Sequence, residues 1–187
     1  MPDERKTMLL TAADYLGRRP NATQDEIAKA LGVSRATLHR HFAGRAELLR
    51  ALSDMAGQEL HQAVLSAAPA EGDCAAALER LVASFEPSAP YLALFYTLSQ
   101  EEDADQIHPA WEEIDAAVLG LFERGQASGE FTSRLSAAWM AEAFYSLVAG
   151  AVWAIQSGRC AQRDFTRMVT EMVLRGVHNP GKDEQST

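Results

Sequence analysis

Residues 34–41 carry a dense set of side chains that hydrogen-bond readily to base edges and phosphate oxygens. Arginine suits the O6 and N7 atoms of guanine, and a small residue such as Ala36 can contact a thymine methyl group. The alternative is a basic helix face that meets only solvent. We favour DNA contact for most of this set, which consists of Ser34, Arg35, Ala36, Thr37, His39, Arg40 and His41.

These side chains need a short helix held against a second one, and the flanking residues have that pattern. Thr23 and Glu26 form a capping box, in which a hydroxyl closes the first helical turn and a carboxylate reaches back. Gly32 suits the following turn, because glycine adopts positive φ without steric cost. Ser34 is the expected N-cap of a second helix over 35–42. Two helices joined by a short glycine-containing turn indicate a helix-turn-helix, which places a recognition helix in the DNA major groove.

The charge distribution agrees with a nucleic-acid partner for the first part of the chain. The protein has 187 residues and a net charge of −9, which by itself argues against nucleic acid. Residues 1–50, however, hold nine Lys and Arg against six Asp and Glu, whereas the remainder holds eight against twenty. A basic segment joined to an acidic one suits a protein whose first part meets phosphate.

Apolar residues recur at helical spacing through most of the chain, with almost no strand pattern. We predict an all-α fold with a three-helix DNA-binding domain over 1–50 and a helical bundle over 51–187. There is no signal-peptide pattern, and the longest apolar stretch, 144–155, is too short to span a bilayer. We therefore expect a soluble cytoplasmic protein. Besides the two short helices, the expected helices cover about 4–17, 45–67, 73–85, 88–100, 109–128, 136–156 and 161–177.

The segment around the second short helix resembles the TetR family of transcriptional repressors, and the resemblance covers about residues 7–52. The matching positions are Gly32, Val33, Ser34, Thr37, Leu38, His41, Phe42 and Leu48. There are two departures, since His39 stands where the family commonly has tyrosine and Arg45 stands where it has lysine. The RATLHR segment and the length of the C-terminal part resemble the branch of small repressors that control multidrug-efflux operons.

The resemblance implies a homodimeric repressor that binds a pseudo-palindromic operator in double-stranded DNA and senses a small effector. It also places phosphate contacts at Thr23 and Gln24, where free N–H groups and the helix dipole favour an anion; a plain helix cap is the alternative. Arg45 is expected to contact phosphate rather than a base. Two other classes stay open: a ligand-independent nucleoid factor, and a helical enzyme with an incidental helix-turn-helix.

The sequence has no pattern typical of a metal centre, a cofactor site or a catalytic motif. His39 and His41 lie two residues apart and so on different faces of a helix. His61 has no cysteine or carboxylate partner at metal-site spacing. A G-x-S-x-G elbow and a phosphate-binding glycine loop are both lacking. We expect neither metal nor cofactor, and no enzymatic activity.

Aromatic residues are frequent in the C-terminal part, and at helical spacing such residues usually form a core. A helical bundle can also hold a cavity lined by apolar groups and a few polar ones. A lipophilic cation stacked on aromatic faces suits such a cavity, so we expect a small hydrophobic or cationic effector. The predicted walls are Phe95, Trp111, Phe122 and Tyr145.

Small residues concentrate between 137 and 154, where they allow helices to approach closely. Together with neighbouring large apolar residues they form either internal core or a seam between two chains. The resemblance implies a seam, because in that family the last two helices of each chain form a four-helix interface. The predicted seam contains Phe144, Leu147, Ala151, Phe165, Met168 and Met172.

Overall fold

The computed structural model describes residues 2–98 and 110–178, and the side chains of 4–94 and 110–178. Within these ranges the regular structure is helical, apart from an isolated bridge between Phe131 and His178. The all-α prediction is confirmed. The α-helices are α1 (Pro2–Arg18), α2 (Gln24–Ala30), α3 (Arg35–His41), α4 (Arg45–Ala67), α5 (Cys74–Phe85), α6 (Ala89–Leu98), α7 (Ala110–Ala127), α8 (Ala137–Gln156) and α9 (Phe165–Val177).

Helices α1, α2, α3 and the first half of α4 enclose one hydrophobic core, and we call this unit the head. Each helix contributes side chains that are fully removed from solvent. Burial of this kind is the main stabilising term for such short helices, because α2 and α3 are too short to persist alone. The fully buried side chains of the head include Leu16, Ile27, Leu38, Phe42 and Leu48.

Neighbouring apolar residues of α1 differ in burial. Leu10 is 43% exposed, whereas Met8 and Ala12 are buried together with Leu9 and Leu16. The apolar residues at 8, 9 and 10 are consecutive, so helical spacing alone does not decide which of them faces inward.

Two helices belong to both halves of the molecule. The first part of α4, as far as Ala56, packs in the head core, whereas Leu60 and later residues pack in a second core. On α6, Tyr91 and Leu94 join the head core and Leu92 joins the second one. The head core thus extends beyond residue 50, where we placed the domain boundary.

The second core lies among α5, α7, α8, α9 and the end of α4, and we call this unit the body. Aromatic rings run through it: the Phe85 and Phe144 centroids are 5.6 Å apart, and those of Phe122 and Phe131 are 5.9 Å apart. Gly125 is needed beside this stack, because a Cβ there would lie 2.1 Å from the Phe131 ring. The body is therefore closely packed around its phenylalanines.

One described helix, α8, is long and apolar enough to cross a membrane by length and composition, with a mean hydropathy of 1.4. A core helix of a soluble protein passes the same test. Since α8 packs against α6, α7 and α9, its apolar character has an explanation within the fold.

Candidate nucleic-acid interface and ligand-binding region

Helix α2 begins at the predicted capping box. The Glu26 amide donates to Thr23 Oγ1 at 3.3 Å, and the Thr23 amide donates to Glu26 Oε2 at 2.8 Å. The backbone and hydroxyl hydrogen bonds from Thr23 lower the pKa of Glu26, because they stabilise its carboxylate. The stabilisation is present at neutral pH and is lost as the pH falls through this lowered pKa.

Helix α3 is capped as predicted and presents a polar outer face. The Thr37 amide donates to Ser34 Oγ at 3.0 Å, which fixes the first turn. Leu38 is fully buried and holds the opposite side of the helix in the head core. This anchoring decides which side chains face outward. The exposed members of the predicted contact set are Thr23 on the preceding cap, and Ser34, Arg35, Ala36, His39 and Arg40.

Arg35, at the start of α3, is paired with α2. Its Nη1 atom lies 3.2 Å and 3.3 Å from the two carboxylate oxygens of Asp25. Both side chains are about two-thirds exposed, and exposed ion pairs contribute roughly 0–1 kcal/mol. A base contact is therefore strong enough to replace this pair. Sequence reasoning did not identify Asp25, although it is an acidic residue beside a basic helix.

Four members of the predicted contact set are half-buried: Gln24, Thr37, His41 and Arg45. The Nε2 atoms of Gln24 and His41 are buried without a hydrogen-bond partner among the described residues. A half-buried side chain can contact DNA only with the part of its surface that is still exposed. These positions are therefore less accessible than the exposed arginines and His39.

Arg45 was predicted to contact phosphate, but its guanidinium is engaged within the head. Nη1 donates to the Ala22 carbonyl oxygen at 2.8 Å, and Nη2 donates to the Pro20 carbonyl oxygen. The side chain is half-buried. In this structure Arg45 therefore connects the first residue of α4 to the loop before α2.

In the body, an aromatic pair lies beside a carboxylate. The Trp111 and Tyr145 ring centroids are 5.4 Å apart, and the Tyr145 hydroxyl donates to Asp115 Oδ1 at 3.3 Å. Burial, with the Asp115 carboxylate beside it, raises the pKa of Tyr145, so this hydroxyl stays protonated at neutral pH. Sequence reasoning missed Asp115, although its spacing of four from Trp111 places both on one face of α7.

Of the other two predicted wall residues, the structure describes the side chain of Phe122 alone. Phe122 is fully buried, with its ring 6.5 Å from that of Phe144 and 5.9 Å from that of Phe131. Phe122 therefore packs in the phenylalanine stack of the body, and its role as a cavity wall stays a prediction. Phe95 lies outside the residues whose side chains are described.

The predicted seam on α8 and α9 contains both core and surface positions. Phe144 and Phe165 are 0% and 1% exposed in the single chain, so both pack in the core of the body. Their apolar character reflects packing between helices of the body. The remaining members lie nearer the surface: Leu147, Ala151 and Met168 are partly buried, and Met172 is 62% exposed.

Two tryptophans are exposed on α8, although aromatic residues at helical spacing usually form a core. Trp139 is 59% and Trp153 55% exposed. Their separation of 14 residues is close to four helical turns, so they lie on the same face. Ser146 and Gly150, also exposed, lie between them on that face. Exposed large apolar side chains flanking small ones are typical of a surface that another helix covers.

Comparison with known proteins identifies relatives of the whole chain. Residues 20–52 match the family model described as bacterial regulatory proteins, tetR family. The chain is 32% identical over 183 residues to the HTH-type transcriptional regulator NfxB of Pseudomonas aeruginosa, covering 96% of each protein. It is also 32% identical over 121 residues to the HTH-type transcriptional repressor LfrR of Mycolicibacterium smegmatis, covering 57% of this chain and 64% of that protein.

A solved structure extends the likeness to three dimensions. The TetR-like regulator LfrR from Mycobacterium smegmatis, in complex with proflavine, has a TM-score of 0.72 and 27% identity, covering 93% of this chain and 96% of that chain. The helix-turn-helix, the helical body and the full-length relative agree with one another. This chain therefore belongs to the TetR family of bacterial DNA-binding transcriptional regulators.

Proposed function

We propose that this regulator is a cytoplasmic homodimeric repressor that binds a pseudo-palindromic operator and is released from it by a small amphiphilic effector. The observation that supports DNA recognition best is the outer face of α3, where a capped and anchored helix exposes Arg35, His39 and Arg40. Two copies would place two such helices in successive major grooves. The regulated genes would belong to an efflux or detoxification operon, since LfrR in its solved complex binds proflavine, a small aromatic molecule.

Within this proposal the polar residues of the head divide into two groups. Arg35 and His39 meet base edges, whereas Thr23 and Gln24 contact the phosphate backbone. Base contacts carry specificity, and phosphate contacts carry orientation and most of the salt dependence. The two groups are therefore distinguishable by measurement.

The dimer would form through the exposed face of α8 together with Met172 of α9. This face offers Trp139 and Trp153, and tryptophan is enriched among residues that dominate binding energy. Arg159 stacks over the Trp153 ring at 4.4 Å and adds a charged edge to it. A seam of this kind would use the surface of α8, while Phe144 and Phe165 pack beneath it.

The effector would bind beside Trp111 and Tyr145, with Asp115 as its counter-charge. A flat cation gains from stacking on aromatic faces and from a nearby carboxylate. An effector displaces the operator only if it binds the DNA-incompetent state more tightly than the competent one. Helices α4 and α6, which contribute to both cores, offer the physical connection between body and head.

The DNA-binding proposal predicts unequal effects on specific and unrelated DNA when a base-reading side chain is removed. Arg35→Ala and His39→Ala are each expected to weaken operator binding by roughly 1–3 kcal/mol, with a smaller effect on unrelated DNA. The measurement is fluorescence anisotropy with the regulator's own upstream DNA and with a scrambled duplex.

Arg163→Ala, an exposed change on the body surface, is the matched control for removal of one positive charge. Equal weakening on both duplexes for Arg35→Ala and for His39→Ala would mean that α3 does not read the sequence. Absence of any bound fragment from a genomic library at low salt would refute operator binding itself.

The effector proposal predicts a charge-dependent affinity. Asp115→Asn is expected to reduce proflavine affinity by about 1 kcal/mol or more, because the stacking remains while the counter-charge is removed. Titration calorimetry measures the reduction, and release of operator DNA is followed in parallel. Glu112→Gln, an exposed change on the same helix, serves as the control.

If the proflavine affinity of Asp115→Asn is unchanged, Asp115 is not part of the effector site. Binding to the wild-type body without any change in operator affinity would refute the effector switch while leaving the repressor proposal intact.

A further inference from the structure

We infer that Arg45 is a positioning residue, which ties the loop before α2 to the start of α4 and thereby sets the orientation of the helix-turn-helix on DNA. The inference rests on the proposed function in one respect, since it uses Arg35 as the reporter of correct docking. It replaces the expectation that Arg45 itself contacts phosphate.

The hydrogen bonds of Arg45 span a long stretch of sequence. Its two Nη atoms donate to the carbonyl oxygens of Ala22 and Pro20, which precede it by 23 and 25 residues. Ala22 is buried in the head core, and its amide donates to the Arg19 carbonyl oxygen at 3.0 Å. The loop is thus compact, and Arg45 is its link to α4.

The residues beside Arg45 fix the direction from which its side chain reaches the loop. Gly44 has φ 152°, a conformation that residues with a Cβ rarely adopt. The Ala43 amide donates to Glu47 Oε2 at 2.7 Å, which closes the start of α4. Leu48 and Leu49 then bury the following turn in the head core. The start of α4 is therefore held against the head core, and Arg45 reaches the loop from this fixed point.

The chemistry of this link is specific to arginine. A guanidinium has five N–H donors in a planar fork, so it can hold two carbonyl oxygens at once. A lysine keeps the charge, but its single ammonium group sits at the end of a flexible chain and lacks the planar fork. Without the fork the loop would lose these two hydrogen bonds to α4. Helix α2, with α3 packed against it, would then dock at a different angle.

The test compares Arg45→Lys and Arg45→Met for operator binding at several salt concentrations. Both variants are expected to bind the operator roughly tenfold to a hundredfold more weakly, as for broken hydrogen bonds to a charged group. The slope of log affinity against log salt should stay that of the wild type. If Arg45 instead neutralised a phosphate directly, Arg45→Lys would bind normally, and Arg45→Met would lower the slope by about 0.9 for each phosphate left without its cation.

A second measurement separates positioning from a simple decrease in stability. If Arg45 acts by orienting the recognition helix, Arg35→Ala should cost much less in the Arg45→Met background than in the wild type. Independent effects that multiply would overturn the inference, and so would unchanged affinity in both Arg45 variants. If Arg45→Met fails to fold by circular dichroism, Arg45→Lys carries the same comparison.

Arg50→Met provides the control, because it removes one positive charge from an exposed site on the same helix. It should bind the operator nearly as the wild type does. Arg35→Ala alone reports on the proposed function: if its operator affinity is unchanged, recognition by α3 fails whatever the Arg45 variants show.

Discussion

Phe144→Asp is expected to leave the body unfolded, not to produce a folded monomer. The ring is fully buried between Phe85 and Phe122. Removing a buried phenylalanine costs roughly 3–5 kcal/mol, and an unpaired carboxylate in its place adds several more. Against a typical total stability of about 5–15 kcal/mol, this sum is enough to abolish folding. Disappearance of helical circular dichroism and of a cooperative thermal transition is the expected readout.

Phe144→Leu is the companion variant, since it keeps the site apolar and reduces only its volume. It should fold with a lower melting temperature and an unchanged oligomeric state. If Phe144→Asp is instead folded and sediments as a monomer, Phe144 belongs to the interface between chains.

Replacing Trp139 and Trp153 together by glutamate is expected to give a folded monomer that no longer binds the operator tightly. Both side chains are more than half exposed in the single chain, so charge at these sites costs the fold little. In a dimer the same charges would be desolvated within the seam. Since two linked half-sites bind about a hundredfold to ten-thousandfold more tightly than one, the affinity of the monomer should fall on that scale.

Leu65→Glu is the matched control for this double variant. Leu65 is 58% exposed on α4, away from the proposed seam, and the substitution should change neither mass nor affinity. Analytical ultracentrifugation and operator titration measure the two properties on the same samples. If the double-glutamate protein is still a dimer, the seam lies elsewhere. If the wild type is a monomer, the dimer proposal is refuted.

Local chemistry accounts for what the sequence predicted well. Thr23 and Ser34 are helix caps in the structure as predicted, because each hydroxyl reaches an amide three residues ahead without help from distant residues. The start of α4 at residue 45 and its end at 67 also agree, since Gly44 precedes the helix and the segment from Pro69 to Gly72 follows it closely. Such signals lie within a few residues of their effect.

Burial was harder to predict where apolar residues surround a helix on several sides. On α8 the spacing did not separate Phe144, which is enclosed, from Trp139 and Trp153, which are not. The difference depends on which neighbours cover each face, and the helices packed against α8 are α6, α7 and α9. The same holds for Phe122, whose partners Phe131 and Phe144 are 9 and 22 residues away in the chain.

The sequence by itself determined the all-α class, the helix-turn-helix and its caps, because these depend on residue type, periodicity and interactions between near neighbours. Only the tertiary structure decided that Arg45 bonds to the loop before α2, that Asp25 holds Arg35, and that Asp115 lies beside Tyr145. Each of these interactions joins residues 10 to 30 positions apart on different elements. Their formation depends on how whole helices pack, and a pattern of near neighbours does not contain that information.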